Sequence, residues 1–217
     1  MRTAQTFDRE MAQRVLDVAL VTVSAPLWAP VLLVLFALKA LIDGRPVFFA
    51  HERLGRGGIP FLLYKIRSTP RAFHARPEDW PSEEFPPRTR FGQWLRRWDL
   101  DELPQLWNVL RGEMSLVGPR PETPYHSAKF SAEMPRFHDR LQVRPGLTGL
   151  AQVRGWRGDT NVYARLSADL EYLNRRGFRL WLSVLLCTLW IEASGEGRYT
   201  ASPVPRAMRS QSDVPNL

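Results

Sequence analysis

Hydrophobic and polar positions follow different periods in different parts of this chain. From Val18 to Leu38 there is no period at all: 21 residues, VALVTVSAPLWAPVLLVLFAL, pass without a charge. A run of that length is enough to cross a bilayer as a helix. Pro26 and Pro30 interrupt it. Each lacks an N–H and clashes with the carbonyl four residues back, which predicts a bend. Ser24 is placed to donate to a carbonyl that the bend frees. Asp8, Glu10 and Asp17 precede the run and no small-residue cleavage site follows Leu38, which argues against a removed signal peptide. Basic residues flank both ends, Arg9 and Arg14 before and Lys39 and Arg45 after, so charge selects neither orientation. Two topologies stay open on these grounds: a hairpin that enters and leaves on one side, and a kinked spanning helix.

Residues 43–195 read as a separate body. Two short apolar runs, Val47–Ala50 and Phe61–Ile66, flank the glycine-rich Gly55–Gly58, which predicts a β-hairpin. A proline-rich acidic stretch, ARPEDWPSEEFPP, reads as an irregular surface loop. FGQWLRRWDL carries apolar residues at 91, 94, 95 and 98, a helical spacing. DELPQLWNVLRG predicts a second helix stopped by Gly112. SLVGPRPETP and VRPGLTGLAQVRG read as loops, the first locked by prolines and the second rich in glycine. NVYARLSADLEYLNRRG reads as a helix. FRLWLSVLLCTLWIEA reads as an apolar helix of about 16 residues, too short to span and so expected in the core or on a membrane surface. Residues 196–217 mix Gly, Ser, Pro and Arg and are expected to be disordered. The resulting class is α+β and mainly helical.

Composition narrows the partners. Apolar residues make up 44% and charged ones 24%, which excludes a disordered chain. The net charge is +8, carried by 27 arginines and only three lysines. Arginine meets carboxylate and phosphate as a planar fork, so the candidate partners are polyanions: nucleic acid, anionic lipid or phosphorylated small molecules. Codon bias in a GC-rich genome accounts for such an excess equally well. Cys187 is alone, so no internal disulfide forms. The four histidines lie far apart without zinc-ligand spacing. Trp94, Trp98, Trp107, Trp181 and Trp190 flank apolar stretches. Tryptophan favours the membrane interface, which tilts the reading toward a partly embedded body.

The acids of WDLDELP raise the question of chemistry. Asp99 and Glu102 have the spacing of a capping box, and Pro104 is tolerated only in a first turn. A cap has no use for Asp101. A carboxylate at a helix start is expected to be ionised with a depressed pKa, suited to act as nucleophile or Mg²⁺ ligand. Arg120 lies between two prolines, which holds its guanidinium in place for phosphate. Arg67, Arg88, Arg144 and Arg154 also lie in or beside loops. Together the carboxylates and arginines point to a metal-assisted site for a diphosphate substrate.

The ordered set RVLD, PVFFAHERLGRGGIPFLLYKIRS, TRFGQWLRRWDLDELPQLWNVLRGEMSLVGPRPE and RLQVRPGLTGLAQVRG resembles the bacterial sugar transferases, monotopic polyprenyl-phosphate phosphoglycosyl transferases. The resemblance runs from about Arg14 to Trp190. It implies a re-entrant membrane helix over residues 14–42, broken near Pro30 with Ser24 as a neighbouring donor, after an N-terminal tail of residues 1–13. A cytoplasmic catalytic domain would follow over residues 43–195, with the β-hairpin and interfacial amphipathic helices around its core. Family members break this helix at a Ser-Pro pair, and Ala29-Pro30 keeps only the proline. The resemblance further implies that Asp101 attacks the sugar-bearing phosphate of a UDP-sugar, releases UMP and passes the sugar phosphate to polyprenyl phosphate. Glu102 would help Asp101 hold Mg²⁺, and Arg120, Arg88, Arg67, Arg144 and Arg154 would bind phosphate. It places the chain on the cytoplasmic face of the bacterial inner membrane, against its lipid, without nucleic acid and with room for a homodimer. Larger relatives carry extra N-terminal regions, so the resemblance is to the minimal form.

Two readings compete. A basic module binding nucleic acid or anionic lipid without catalysis predicts a regular basic stripe, whereas these arginines sit among prolines, glycines and acids. A spanning anchor with an external scaffold domain predicts opposite sides for the two termini.

Overall fold

A computed structural model describes residues 2–73, 87–157 and 160–194, and side chains from residue 10 onward. The acidic proline-rich loop and the expected disordered tail lie largely or wholly outside the described residues. The class is as expected, mainly helical with small sheets.

Helix α1 spans Arg2–Val23 and α2 spans Ala25–Ile42. Two expectations are corrected here. Residues 2–13 belong to α1 rather than to a tail, and the break falls at Ser24 while Pro30 stays inside α2. The cause is Pro26, which cannot donate to the Thr22 carbonyl. Ser24 Oγ donates to the Leu20 carbonyl at 2.7 Å, and Trp28 Nε1 donates to the Val21 carbonyl at 3.0 Å, so side chains add hydrogen bonds to the turn beside the break. α2 has a mean hydropathy of 2.1 over its 18 residues, and only 11% of them are buried. An apolar surface left open on that scale needs a nonaqueous partner.

The N-terminal part of α1 is integrated with the body. Gln13 Nε2 donates to Ser115 Oγ and to the Val117 carbonyl, and Asp17 accepts from Ser115 Oγ at 2.6 Å and Trp181 Nε1 at 3.2 Å. Arg14 donates to the carbonyls of Val109 and Leu110.

The predicted hairpin forms from β1 (Phe48–Leu54) and β2 (Pro60–Ile66), antiparallel, with Phe49 opposite Lys65, His51 opposite Leu63 and Arg53 opposite Phe61. The outer edge of β2 meets α4 (Gln105–Arg111) rather than another strand. There the fully buried Asn108 accepts from the Tyr64 N–H at 3.2 Å and donates to the Leu62 carbonyl at 2.7 Å. One amide thus satisfies both edge groups, as a third strand would.

The two sequences expected to be loops instead contain β3 (Ser115–Val117) and β4 (Gly146–Thr148), a parallel pair. Glycine makes this pairing feasible. A Cβ at Gly146 would lie 2.1 Å from Gly118 N, and one at Gly149 would lie 2.2 Å from Gly118 O. Around the pair run α3 (Arg90–Arg97), α5 (Pro124–Glu133), α6 (Leu150–Val153), α7 (Val162–Arg175) and α8 (Phe178–Ser194). The core joins Val21 of α1 to Leu106, Val109, Met114, Leu116, Val117, Val153, Val184 and Ile191. Of the five tryptophans noted, Trp181 is buried in this core while Trp94, Trp98, Trp107 and Trp190 are exposed.

Candidate active site

The acidic stretch lies between α3 and α4, where a 3₁₀ turn covers Leu100–Glu102. Asp99 does not cap a helix. Its φ is 48°, and its carboxylate receives Arg157 Nη1 at 2.9 Å instead of a backbone N–H. Aspartate tolerates this left-handed conformation better than most residues. The expected capping box is therefore absent, and α4 starts only at Gln105 after Pro104. The tight turn directs Asp101 and Glu102 inward, where they are 2% and 8% exposed.

Glu102 is clamped. Its Oε1 receives Lys65 Nζ at 2.6 Å and Arg120 Nη2 at 2.5 Å, and its Oε2 receives Arg120 Nη1 at 3.3 Å. Burial by itself raises a carboxyl pKa, yet Arg120 and Lys65 hold Glu102 well below the usual range. Asp101 differs. Arg96 Nε stands 3.9 Å away, and no side chain among the described residues donates a hydrogen bond to it. Burial raises its pKa, reinforced by Glu102 and opposed by Lys65 and Arg96. This overturns the expectation that a helix start depresses it: desolvation outweighs the short turn's dipole.

A second, deeper ionic cluster lies behind Arg120. Glu122 receives Arg165 from α7, with Arg140 Nη1 at 3.6 Å and Arg53 Nη1 at 3.8 Å. Arg140 also pairs with Asp169 at 2.7 Å and donates to the Arg120 carbonyl at 2.8 Å. The Pro-Arg-Pro-Glu segment is thus held from below by ion pairs to Arg53, Arg140 and Arg165 on three other elements, while Arg120 faces Glu102.

Of the five arginines expected to bind phosphate, the structure brings only Arg120 to Glu102. Arg67 is turned to the turn after α2, donating to the carbonyls of Pro46 at 2.7 Å, Gly44 at 3.1 Å and Asp43 at 3.2 Å. Arg144 donates to the Gly112 carbonyl at the far end of α4. Arg154 forms a two-pronged pair with Glu171, at 2.6 and 2.9 Å. Arg88 lies next to the Thr89 cap of α3. Sequence reasoning passed over Lys65, Arg96 and Arg53. Lys65 had a readable signal: it follows Phe61 and Leu63 on the inward side of a strand, where a lysine needs an acidic partner.

The donor set can be tested against Mg²⁺. That ion takes one or two carboxylates and completes its shell with water and substrate phosphates. Asp101 fits, being a buried carboxylate with no side-chain hydrogen bond among the described residues. Both oxygens of Glu102 are already engaged by cations. No cluster of three or more His, Cys, Asp or Glu side chains occurs among the described residues, so substrate oxygens would have to complete the shell.

Comparison with known proteins places the chain in a family. The chain matches the bacterial sugar transferase family over residues 8–195. It is 42% identical over 191 residues to the UDP-glucose:undecaprenyl-phosphate glucose-1-phosphate transferase of Caulobacter vibrioides, covering 83% of this chain and 69% of that protein. The protein of the same description from Escherichia coli is 35% identical, covering 83% of this chain and 39% of that protein. A UDP-N-acetylgalactosamine-undecaprenyl-phosphate N-acetylgalactosaminephosphotransferase of Aeromonas hydrophila is 35% identical, covering 80% and 41%. The chain thus spans about two fifths of the length of the last two. The match takes in α1, α2, the hairpin and the whole carboxylate–arginine site, so the chain belongs to the bacterial sugar transferase family.

Proposed function

We propose that this chain transfers a sugar-1-phosphate from a UDP-sugar to a polyprenyl phosphate such as undecaprenyl phosphate, through a covalent intermediate on Asp101. The observation that carries this reading is the contrast within the pair: Glu102 is locked by Lys65 and Arg120, while Asp101 is equally buried but accepts no side-chain hydrogen bond among the described residues. A desolvated carboxylate is a better nucleophile than a hydrated one, and Lys65 and Arg96 keep its charge compensated.

In the first half-reaction an Asp101 oxygen attacks the phosphorus that bears the sugar. The bond from that phosphorus to the bridging oxygen breaks, and the electron pair leaves on UMP. In the second half-reaction an oxygen of the polyprenyl phosphate attacks the same phosphorus. The bond to Asp101 breaks, its electron pair restores the carboxylate, and a polyprenyl diphosphate sugar is released. Arg120 and Lys65 position Glu102 and supply positive charge beside the transferring phosphoryl group. Asp101 would hold Mg²⁺, which would supply charge neutralisation for the phosphate oxygens.

The lipid acceptor accounts for the exposed apolar α2. In this reading α1 and α2 form a re-entrant hairpin broken at Ser24 and Pro26, with the body on the cytoplasmic face of the inner membrane. The exposed Trp94, Trp98, Trp107 and Trp190 suit the interface.

The test is UMP release by the purified chain supplied with Mg²⁺, undecaprenyl phosphate and a panel of UDP-sugars. At least one sugar should turn over, and Asp101→Asn should lower its rate about 10⁴-fold or more. Full activity in Asp101→Asn would remove the covalent mechanism.

A further inference from the structure

We propose that Phe49 and His51, on the inward face of β1, form the platform on which the uracil ring of the nucleotide stacks. The proposal rests on the UDP-sugar reading above and assigns the end of the donor that the carboxylates and Arg120 leave unrecognised.

The hairpin register places these rings. Alternate residues of a strand share a face, so Phe49, His51 and Arg53 form a row, directly opposite Lys65, Leu63 and Phe61. Lys65 binds Glu102 at 2.6 Å. Phe49 is therefore the cross-strand neighbour of a residue that holds the reactive carboxylate pair. At the other end of the row Arg53 lies 3.8 Å from Glu122 and donates to the Pro121 carbonyl, next to Arg120. An aromatic strip thus runs between two cationic positions beside the site. Phe49 is 37% exposed and His51 partly so, with ring centroids 5.7 Å apart and ring planes tilted by 54°, so a base lying flat on one ring meets the other at an angle. The opposite face of β1 is turned to the membrane helix, where Phe48 packs edge-on against Phe36 of α2 at 4.4 Å. The Phe49–His51 face accordingly looks away from α2, which favours a nucleotide over an acyl chain.

The chemistry of His51 supports a base rather than a phosphate as its ligand. Burial and the neighbouring Arg53, Lys65 and His126 lower its pKa to about 4, so the ring is neutral at physiological pH and offers a π face without charge. Arg53 Nη2 lies 3.5 Å from Nδ1. An arginine can only donate, which leaves Nε2 as the N–H of the neutral ring. That donor lies in the plane of the ring, out of reach of a base stacked on its face, so the ring contributes its uncharged π surface. Flat rings beside a cationic groove are how proteins hold bases and phosphates together.

The test measures binding to the full chain in detergent with three probes: UMP, CMP and inorganic pyrophosphate. His51→Ala should weaken UMP about tenfold and leave pyrophosphate unchanged. His51→Phe keeps a ring and should keep most of the affinity for UMP and for CMP alike, since stacking does not distinguish the two bases. Phe49→Ala should repeat the selective loss of UMP, and wild-type circular dichroism in each variant confirms folding. Equal loss of UMP and pyrophosphate, or no loss of UMP, overturns the platform. A raised KM for polyprenyl phosphate with unchanged UMP binding overturns it also, assigning the rings to the lipid. If the wild-type chain binds no UMP at all, the UDP-sugar reading itself fails, which separates the two.

Discussion

Asp101 and Glu102 are adjacent in sequence and equally buried, yet their environments drive their pKa values in opposite directions. Such separation is the usual basis for dividing roles between two carboxyls. If Glu102 is an anchor, Glu102→Gln should reduce UMP release while leaving the Mg²⁺ concentration for half-maximal activity unchanged. A metal ligand would behave otherwise, since loss of even an outer partner typically costs about 10–100-fold in metal affinity. Mg²⁺ titration of the residual activity checks this. Glu122 provides a pH prediction. Burial would raise its pKa, but Arg165, Arg140 and Arg53 lower it from the ordinary value of 4.5. A lowered folded-state pKa means stability that is complete above the unfolded value and lost as pH falls through the folded one. Thermal melts should therefore decline below about pH 4.5, and Glu122→Gln should remove part of that decline, though Asp169, whose pKa burial raises, acts in the opposite direction. A wild-type and variant pair with the same acid slope would contradict it.

At the scale of elements, the site is made where the hairpin and α4 meet. Lys65 reaches Glu102 because Asn108 bonds the outer edge of β2 to α4. Asn108→Ala leaves the Tyr64 N–H and the Leu62 carbonyl without their partner and should cost about 1–3 kcal/mol. It should also slow UMP release, since Lys65 loses its register against Glu102. Chemical denaturation with parallel turnover measures both, and a destabilised but fully active variant would show that the register does not matter. The hairpin itself was legible in the two apolar runs around Gly55–Gly58. The β3–β4 pair was not. Its strands are three residues each and separated by 28 residues of chain, too short to show a period of two. What marks them is the row Gly118, Gly146 and Gly149, whose missing side chains permit backbone contact.

For the whole molecule, α1 belongs to both the apolar segment and the body. Its Gln13 and Asp17 reach β3 and α8, while α2 leaves its apolar surface open. Under the proposed function, a body fastened this closely to an exposed apolar helix suits a lipid-borne acceptor. Cysteines placed at Arg2 and Ser212 in a Cys187→Ser background should both be labelled only from the cytoplasmic side. Replacing Pro26 by Ala restores a donor for the Thr22 carbonyl and should shift part of the population toward opposite labelling. Opposite labelling in the wild-type background would exclude the re-entrant hairpin.

The amino-acid sequence by itself determined the apolar segment, the hairpin, the helices at both flanks of the acids, and the carboxylate pair with Arg120. These follow from local periods, glycine and proline, or from a contiguous motif. Only the tertiary structure decided which cations the carboxylates meet. Lys65 and Arg120 are 55 residues apart yet share one oxygen of Glu102, whereas Arg67, two residues from Lys65, turns to backbone carbonyls. It also decided that Asp99 leaves the helix start to pair with Arg157, and that Asp101 is raised rather than depressed. The physical reason is the same throughout. Desolvation and ion pairing depend on which distant segments close over a group, and sequence spacing carries no record of that closure.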